Sequence, residues 1–133
     1  MQIGHIAIWS NQLEKLKTFY ETYFKGISGK KYINPAKGFE SYFVFFEGDT
    51  SLELMARKDI KTAFEGERLG ICHLAFNLDS EEDVRTLTER LRTDGYIIAG
   101  EPRTTGDGFF ESVILDPDGN IIELVYKKTT SHK

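Results

Sequence analysis

Features that define several classes of protein are scarce in this 133-residue sequence. A single cysteine, Cys72, allows no disulfide within the chain, which fits a cytoplasmic protein. No apolar run approaches the roughly 18 to 20 residues that cross a bilayer. The first residues also lack the basic and apolar segments of a secretory signal. Basic residues do not dominate, since 17 of them against 21 acidic residues give a net charge of −4. A nucleic-acid partner and an anionic membrane partner are therefore not expected.

The residues that are abundant indicate a folded core. Apolar residues make up 40% of the chain and aromatic residues 13%, which excludes a disordered or collagen-like protein. At this length one domain is the expectation. We predict a single domain over residues 1–126 and a flexible tail over residues 127–133, which contains His132.

An internal repeat organises the sequence. His73 lies 68 residues after His5, Glu111 lies 71 after Glu40, and Glu123 lies 70 after Glu53. The segments around these residues match in the same order: Ile3–Ile8 with Ile71–Phe76, Phe39–Ser41 with Phe110–Ser112, and Ser51–Leu54 with Ile121–Leu124. Such a pattern indicates a duplicated unit. Repeat one is predicted over residues 1–57, a linker over 58–69 and repeat two over 70–126.

Each repeat has the pattern of a strand, a helix and three further strands. The first helix is predicted from Gln12 to Phe24, with Asn11 as its N-cap and Gly26 as its stop. Ser80 is expected to cap the second helix, which ends before Gly95. The linker allows a short helical stretch. The fold class is therefore α+β, with two tandem βαβββ repeats that form curved mixed sheets around a cleft.

Four chemically useful residues obey the repeat symmetry. His5 and His73 occupy equivalent first strands, and Glu53 and Glu123 occupy equivalent last strands. Alternation along the last strands places both acids on the face opposite their leucine and isoleucine neighbours. A buried, unpaired carboxylate is costly. One divalent cation held by His5, Glu53, His73 and Glu123 removes that cost and leaves positions for water or substrate.

Three other residues carry weaker signals. Trp9 shares the face of His5, and either lines a pocket or packs. Arg57 shares the face of Glu53, and either meets an anionic substrate group or is solvated. Cys72 alternates to the face opposite His73, so core packing is favoured over ligation or nucleophilic catalysis.

These segments resemble the vicinal oxygen chelate superfamily, which includes glyoxalase I, bleomycin-resistance proteins and extradiol dioxygenases. The resemblance is carried by residues 4–8, by residues 72–76 and most specifically by Leu115–Leu124, with the sequence LDPDGNIIEL. It covers about residues 1 to 126. For this superfamily the resemblance implies metal ligands on the first and last strands of each repeat, which here are His5, Glu53, His73 and Glu123.

The ligand set is most similar to that of glyoxalase I, lactoylglutathione lyase. The resemblance implies a divalent metal, with nickel or cobalt favoured and zinc possible. It implies conversion of a methylglyoxal–thiol hemithioacetal to a thioester through an enediolate, with Glu123 as base and Glu53 as its partner for proton return. A homodimer is expected as well.

Two positions depart from the compact glyoxalase pattern. Trp9 stands where an arginine contacts glutathione in similar enzymes, and Arg57 stands where they have asparagine. Another thiol or another substrate is therefore open. The alternatives are an antibiotic-modifying thiol transferase of the fosfomycin-resistance type and a non-catalytic small-molecule or drug-binding protein.

Overall fold

The computed structural model describes residues 1–63 and 65–128. In this part of the chain two α-helices and nine strands form an α+β protein, as the sequence predicted. In chain order the elements are β1 His5–Trp9, α1 Leu13–Phe24, β2 Ile27–Ser28, β3 Tyr32–Asn34, a one-turn 3-10 helix Pro35–Lys37, β4 Phe39–Phe45, β5 Ser51–Arg57, β6 His73–Asn77, α2 Glu81–Thr93, β7 Ile98–Thr104, β8 Phe109–Leu115 and β9 Ile121–Lys127. Neither helix is long and apolar enough to cross a bilayer.

The chain divides into two compact units, the first formed by Met1–Gly66 and the second beginning at Glu67. The boundary lies inside the segment 58–69 that the sequence marked as a linker. Its described residues, 58–63 and 65–69, contain no helix, so the short helical stretch allowed there is absent from them.

Each unit contains one mixed sheet. In the first unit the order is β1-β5-β4-β2, with β3 also paired to β4; in the second it is β6-β9-β8-β7. The β1–β5 and β6–β9 pairs are parallel, and the other pairs are antiparallel. The first and last long strands of each unit are therefore neighbours. The first unit departs from the predicted βαβββ order, because two short strands, β2 and β3, replace the single weak strand expected near Tyr32.

Each helix covers one face of its sheet. Leu16, Phe19 and Tyr20 of α1 are buried, as are Val44 and Leu54 on the strands beneath it. In the second unit α2 buries Val84, Thr88 and Leu91, and the Thr88 hydroxyl lies 2.7 Å from the Ser112 hydroxyl of β8. Period-2 alternation then leaves the other residues of each strand on the face that no helix of the unit covers.

The helix ends show one confirmed cap and two corrections. Ser80 accepts a hydrogen bond from the Asp83 backbone N–H at 3.0 Å, as predicted. Asn11 is not the cap of α1; the helix begins at Leu13 after Gln12, and no side chain caps it. At its other end Lys25, not Gly26, adopts the left-handed conformation, with φ of 58°.

The turn between β8 and β9 is built around Asp116. Its carboxylate accepts hydrogen bonds from the backbone N–H groups of Asp118 and Asn120, both at 2.9 Å, and from the Asn120 side chain at 2.8 Å. Gly119 takes φ of 87°, a conformation that favours glycine. This turn leads directly into the strand of Glu123. That strand extends to Lys127, one residue into the predicted tail; residues 129–133, with His132, lie outside the described residues.

Candidate metal centre

The first unit brings His5 and Glu53 together. Parallel pairing of β1 with β5 sets Ala7 opposite Glu53, and the imidazole two residues earlier on β1 reaches the same carboxylate. The distance from His5 Nε2 to Glu53 Oε1 is 3.6 Å. His5 also meets the Phe43 ring edge-on at 5.2 Å between centroids. The His5 side chain is half exposed, whereas that of Glu53 is mostly covered.

The second unit repeats this arrangement in the same register. Ala75 of β6 lies opposite Glu123 of β9, and His73 Nε2 lies 3.2 Å from Glu123 Oε1. Within each unit the predicted shared face of the histidine and the glutamate is therefore observed. The cause is the period-2 alternation of two parallel strands.

The donor separation in the second pair lies within the range for two adjacent positions around a metal ion, and that in the first pair is slightly longer. Two donors at about 2.1 Å from a metal lie about 3.0 Å apart at an octahedral angle and about 3.4 Å apart at a tetrahedral one. The observed separations are 3.2 and 3.6 Å. Both are longer than the roughly 2.7–2.9 Å of a charge-assisted hydrogen bond. Imidazole and carboxylate donors suit zinc, nickel, cobalt and iron.

Neither pair alone is a metal site. Within residues 1–63 and 65–128, no group of three or more His, Cys, Asp or Glu side chains is placed to hold a metal ion. Each unit thus holds one pair of donors, and a metal bound by protein groups needs donors beyond one pair.

A second carboxylate on the Glu123 face of the second unit was missed from the sequence. Glu111 of β8 pairs with Val125, two residues after Glu123, which places it on the Glu123 face. Burial, followed by the negative charge of Glu123, raises the pKa of Glu111 above its ordinary value. Arg103, which lies opposite Glu111 in the β7–β8 ladder, opposes this shift.

The repeat match had paired Glu111 with Glu40, and the ladders show that this is wrong. In the first unit the residue two after Glu53 is Met55, and it pairs with Ser41. Ser41 is therefore the counterpart of Glu111. A one-residue slip reverses the face of a strand, and Glu40 accordingly meets Lys31, which also binds Glu14 of α1. Alternation along β8, where residues 110, 112 and 114 are buried, was the signal that identifies Glu111.

The Glu111→Gln change is expected to raise the thermal midpoint of the chelator-treated protein by a few degrees at pH 7.5 and to leave it unchanged at pH 3.5. Because the folded state raises the pKa of Glu111, this group stabilises the fold below its ordinary pKa of 4.5, and that stability is lost as the pH rises through the folded value. Calorimetry at the two pH values tests this.

The matched control for Glu111 is Glu101→Gln. The Arg92 guanidinium lowers the pKa of Glu101, so its contribution is present above the ordinary pKa and is lost in acid. The midpoint of that variant should fall at pH 7.5. An equal effect of Glu111→Gln at both pH values would contradict the assigned electrostatic cause.

Trp9 and Arg57 lie at the end of the His5 face and contact one another. The Arg57 guanidinium carbon is 5.0 Å from the Trp9 ring centroid, a cation–π distance. Arg57 also binds Asp59, with Nε 2.5 Å from Oδ1. Trp9 packs edge-on against Phe39 at 6.2 Å and keeps 40% of its surface exposed. Both residues are thus partly exposed on this face of the first unit, and their role in a pocket stays a prediction.

Cys72 differs from its prediction. It is exposed rather than packed in a core, because β6 begins only at His73 and Cys72 precedes the regular strand. Its sulfur lies 3.4 Å from His73 Nδ1.

Comparison with known proteins confirms the fold and the superfamily that the sequence resembles. The sequence model of the Glyoxalase/Bleomycin resistance protein/Dioxygenase superfamily matches residues 2–124. The uncharacterized protein YqjT of Bacillus subtilis is 28% identical over 127 residues, which span 91% of this chain and 95% of YqjT.

Two solved structures illustrate the structural similarity. A glyoxylase/bleomycin resistance protein/dioxygenase domain from Frankia sp. EAN1pec superposes with a TM-score of 0.84 at 18% identity, over 99% of this chain and 95% of that one. The trypanothione-dependent glyoxalase I of Leishmania major gives 0.77 at 23% identity, over 96% and 87% of the two chains. At these identities the similarity concerns the fold.

Two α+β units, each with a His–Glu pair on parallel strands, thus define a protein of the vicinal oxygen chelate type. With its sequence model matched over residues 2–124, the chain belongs to the Glyoxalase/Bleomycin resistance protein/Dioxygenase superfamily. That family description includes both enzymes and resistance proteins.

Proposed function

We propose that the protein is a metal-dependent lyase of the glyoxalase I type, acting on the hemithioacetal of a 2-oxoaldehyde and a thiol. One observation carries the proposal: the His5–Glu53 and His73–Glu123 pairs have the same strand register and donor separations of 3.6 and 3.2 Å. Duplication of the fold does not by itself require a histidine–glutamate pair in each unit, so the presence of both pairs indicates a common function. Membership of a superfamily whose description includes glyoxalase supports the same class of reaction.

One divalent metal ion held by both pairs completes this proposal. Two neutral imidazoles and two carboxylates balance the charge of the cation. Four protein donors also leave two positions of an octahedral site for substrate oxygens. Nickel or cobalt is favoured, and zinc is the alternative. When bound, the ion would supply positive charge that stabilises the negative charge developing on the substrate oxygens.

The glutamates of the two pairs perform the proton transfer. Glu123 takes the proton from the carbon that carries sulfur, and the electrons of that C–H bond form the enediolate. Glu53 takes the hydroxyl proton of the hemithioacetal and delivers it to the neighbouring carbon, and Glu123 gives its proton to the former carbonyl oxygen, so that both carboxylates are regenerated. The product is a thioester of a 2-hydroxy acid with the composition of the substrate, so no oxidant is required.

The thiol is proposed to differ from glutathione. Trp9 and Arg57 replace the arginine and asparagine expected by resemblance, and their cation–π contact forms one surface at the end of the His5 face. Such a surface suits a thiol with a planar or anionic part. A panel of thiols combined with methylglyoxal therefore discriminates better than glutathione alone.

The function is tested by metal analysis and isotope transfer. After reconstitution with Ni²⁺, we expect about one metal ion per complete site of four donors. Incubation with a hemithioacetal deuterated at the sulfur-bearing carbon should yield a thioester in which deuterium has moved or exchanged with water, as followed by NMR.

Three results would contradict this function. Oxygen consumption with a catechol would assign the dioxygenase class. Thiol addition to an antibiotic would assign the resistance-enzyme class. Binding of a drug without metal or turnover would assign the non-catalytic class.

A further inference from the structure

The second His–Glu pair has a contact that the first pair lacks. His73 is held at both ring nitrogens: Nε2 lies 3.2 Å from Glu123 Oε1 and Nδ1 lies 3.4 Å from Cys72 Sγ. Because sulfur is larger than oxygen, 3.4 Å is a hydrogen-bond distance for a thiol, and a thiol both donates and accepts weak hydrogen bonds. We propose that Cys72 is a positioning residue, which fixes the orientation of the His73 ring so that Nε2 faces Glu123.

The first unit shows that this contact is not a general property of the fold. The residue before His5 is Gly4, which has no side chain to meet the imidazole. His5 packs instead edge-on against Phe43. Val113 occupies the equivalent position in the second unit, because Val113 pairs with Glu123 as Phe43 pairs with Glu53. The second unit thus lacks the aromatic ring that packs against the first imidazole and has a sulfur contact instead.

The chemistry of the imidazole explains why sulfur is suited to this position. A histidine that binds a metal through Nε2 carries its proton on Nδ1 and donates it to a neighbouring acceptor. Cys72 Sγ is that acceptor for His73. In the metal-free protein Nε2–H can instead face Glu123, and the thiol then donates to Nδ1. The same contact therefore serves both tautomers, and only the S–H bond rotates.

Metal affinity provides the first test, and this part rests on the proposed function. Cys72→Ala is expected to weaken Ni²⁺ binding about tenfold, the lower range for loss of a group that orients a metal ligand. Cys72→Ser keeps a donor and acceptor and should recover most of the affinity. Chelator competition measures the dissociation constants. Gly4→Ala is the matched control at the first pair, since an added Cβ meets no atom within 4 Å there, and its affinity should equal that of the unmodified protein.

The second test needs no metal. In the chelator-treated protein labelled with ¹⁵N-histidine, Cys72→Ala should change the ring nitrogen shifts of His73 and leave those of His5 unchanged. Cys72 is exposed, so its truncation removes nothing from the core. If His73 responds in a protein that binds no Ni²⁺, the positioning role stands and the proposed function fails. If neither the His73 shifts nor the Ni²⁺ affinity changes, the positioning role is overturned.

Discussion

Glu123→Gln should reduce turnover of the hemithioacetal by about 10²–10⁴-fold, the usual contribution of a general base. Glutamine has nearly the same size and keeps an oxygen donor, but it cannot accept the substrate proton. The structure favours this position because Glu123 is mostly covered and lies 3.2 Å from His73. Solvent exchange of the substrate deuterium should fall in parallel with turnover.

Metal content must be separated from base loss in that experiment. The amide is neutral and binds a cation more weakly than a carboxylate does, so turnover is measured at saturating Ni²⁺ with bound metal determined on the same sample. Glu40→Gln is the matched control, since Glu40 lies on the face of its own sheet opposite Glu53 and binds Lys31. We expect it to retain metal and turnover. A metal-loaded Glu123→Gln protein with undiminished exchange would exclude Glu123 as the base.

Much of each pair could be predicted because strand alternation has a period of two residues. That period places Glu53 on the opposite face from Leu52 and Leu54, both of which are buried. The same reasoning applies to Glu123 between Ile122 and Leu124. Parallel pairing then brings each glutamate beside the histidine strand, with Ala7 and Ala75 opposite the acids.

The register of the middle strands could not be predicted from the repeat match. Phe39-Glu40-Ser41 and Phe110-Glu111-Ser112 are alike in sequence, but their pairing partners differ by one residue. A shift of one residue costs little in sequence similarity and reverses every side chain. Glu111 was missed for this reason. Only the strand pairing places it near Glu123, where burial and that negative charge raise its pKa.

The ends of elements were the other source of error. Cys72 was assigned a face by extending strand alternation back beyond His73, where β6 begins. The start of α1 was misplaced in the same way: Ser10, not Asn11, accepts a hydrogen bond from the Gln12 backbone N–H at 3.0 Å. Alternation and periodicity hold inside an element, and side chains beyond its ends follow the local backbone instead.

The mixing of two inactive variants should reveal how the four donors assemble. His5→Ala and His73→Ala each remove one proposed ligand, so each protein alone is expected to lose Ni²⁺ binding and activity. We propose a two-fold homodimer in which His5 and Glu53 of one protomer act with His73 and Glu123 of the other. A hybrid dimer then has one site with both changes and one intact site.

Equal mixing with free exchange makes half of the dimers hybrid, so about a quarter of the unmodified activity should return. Bound Ni²⁺ should recover to the same extent, which gives a readout independent of the substrate. Native mass spectrometry of differently tagged chains shows whether hybrids form, and each variant alone at the same total chain concentration is the control. If hybrids form and neither activity nor metal returns above the control, the two pairs act within one chain, because every site then retains one missing ligand.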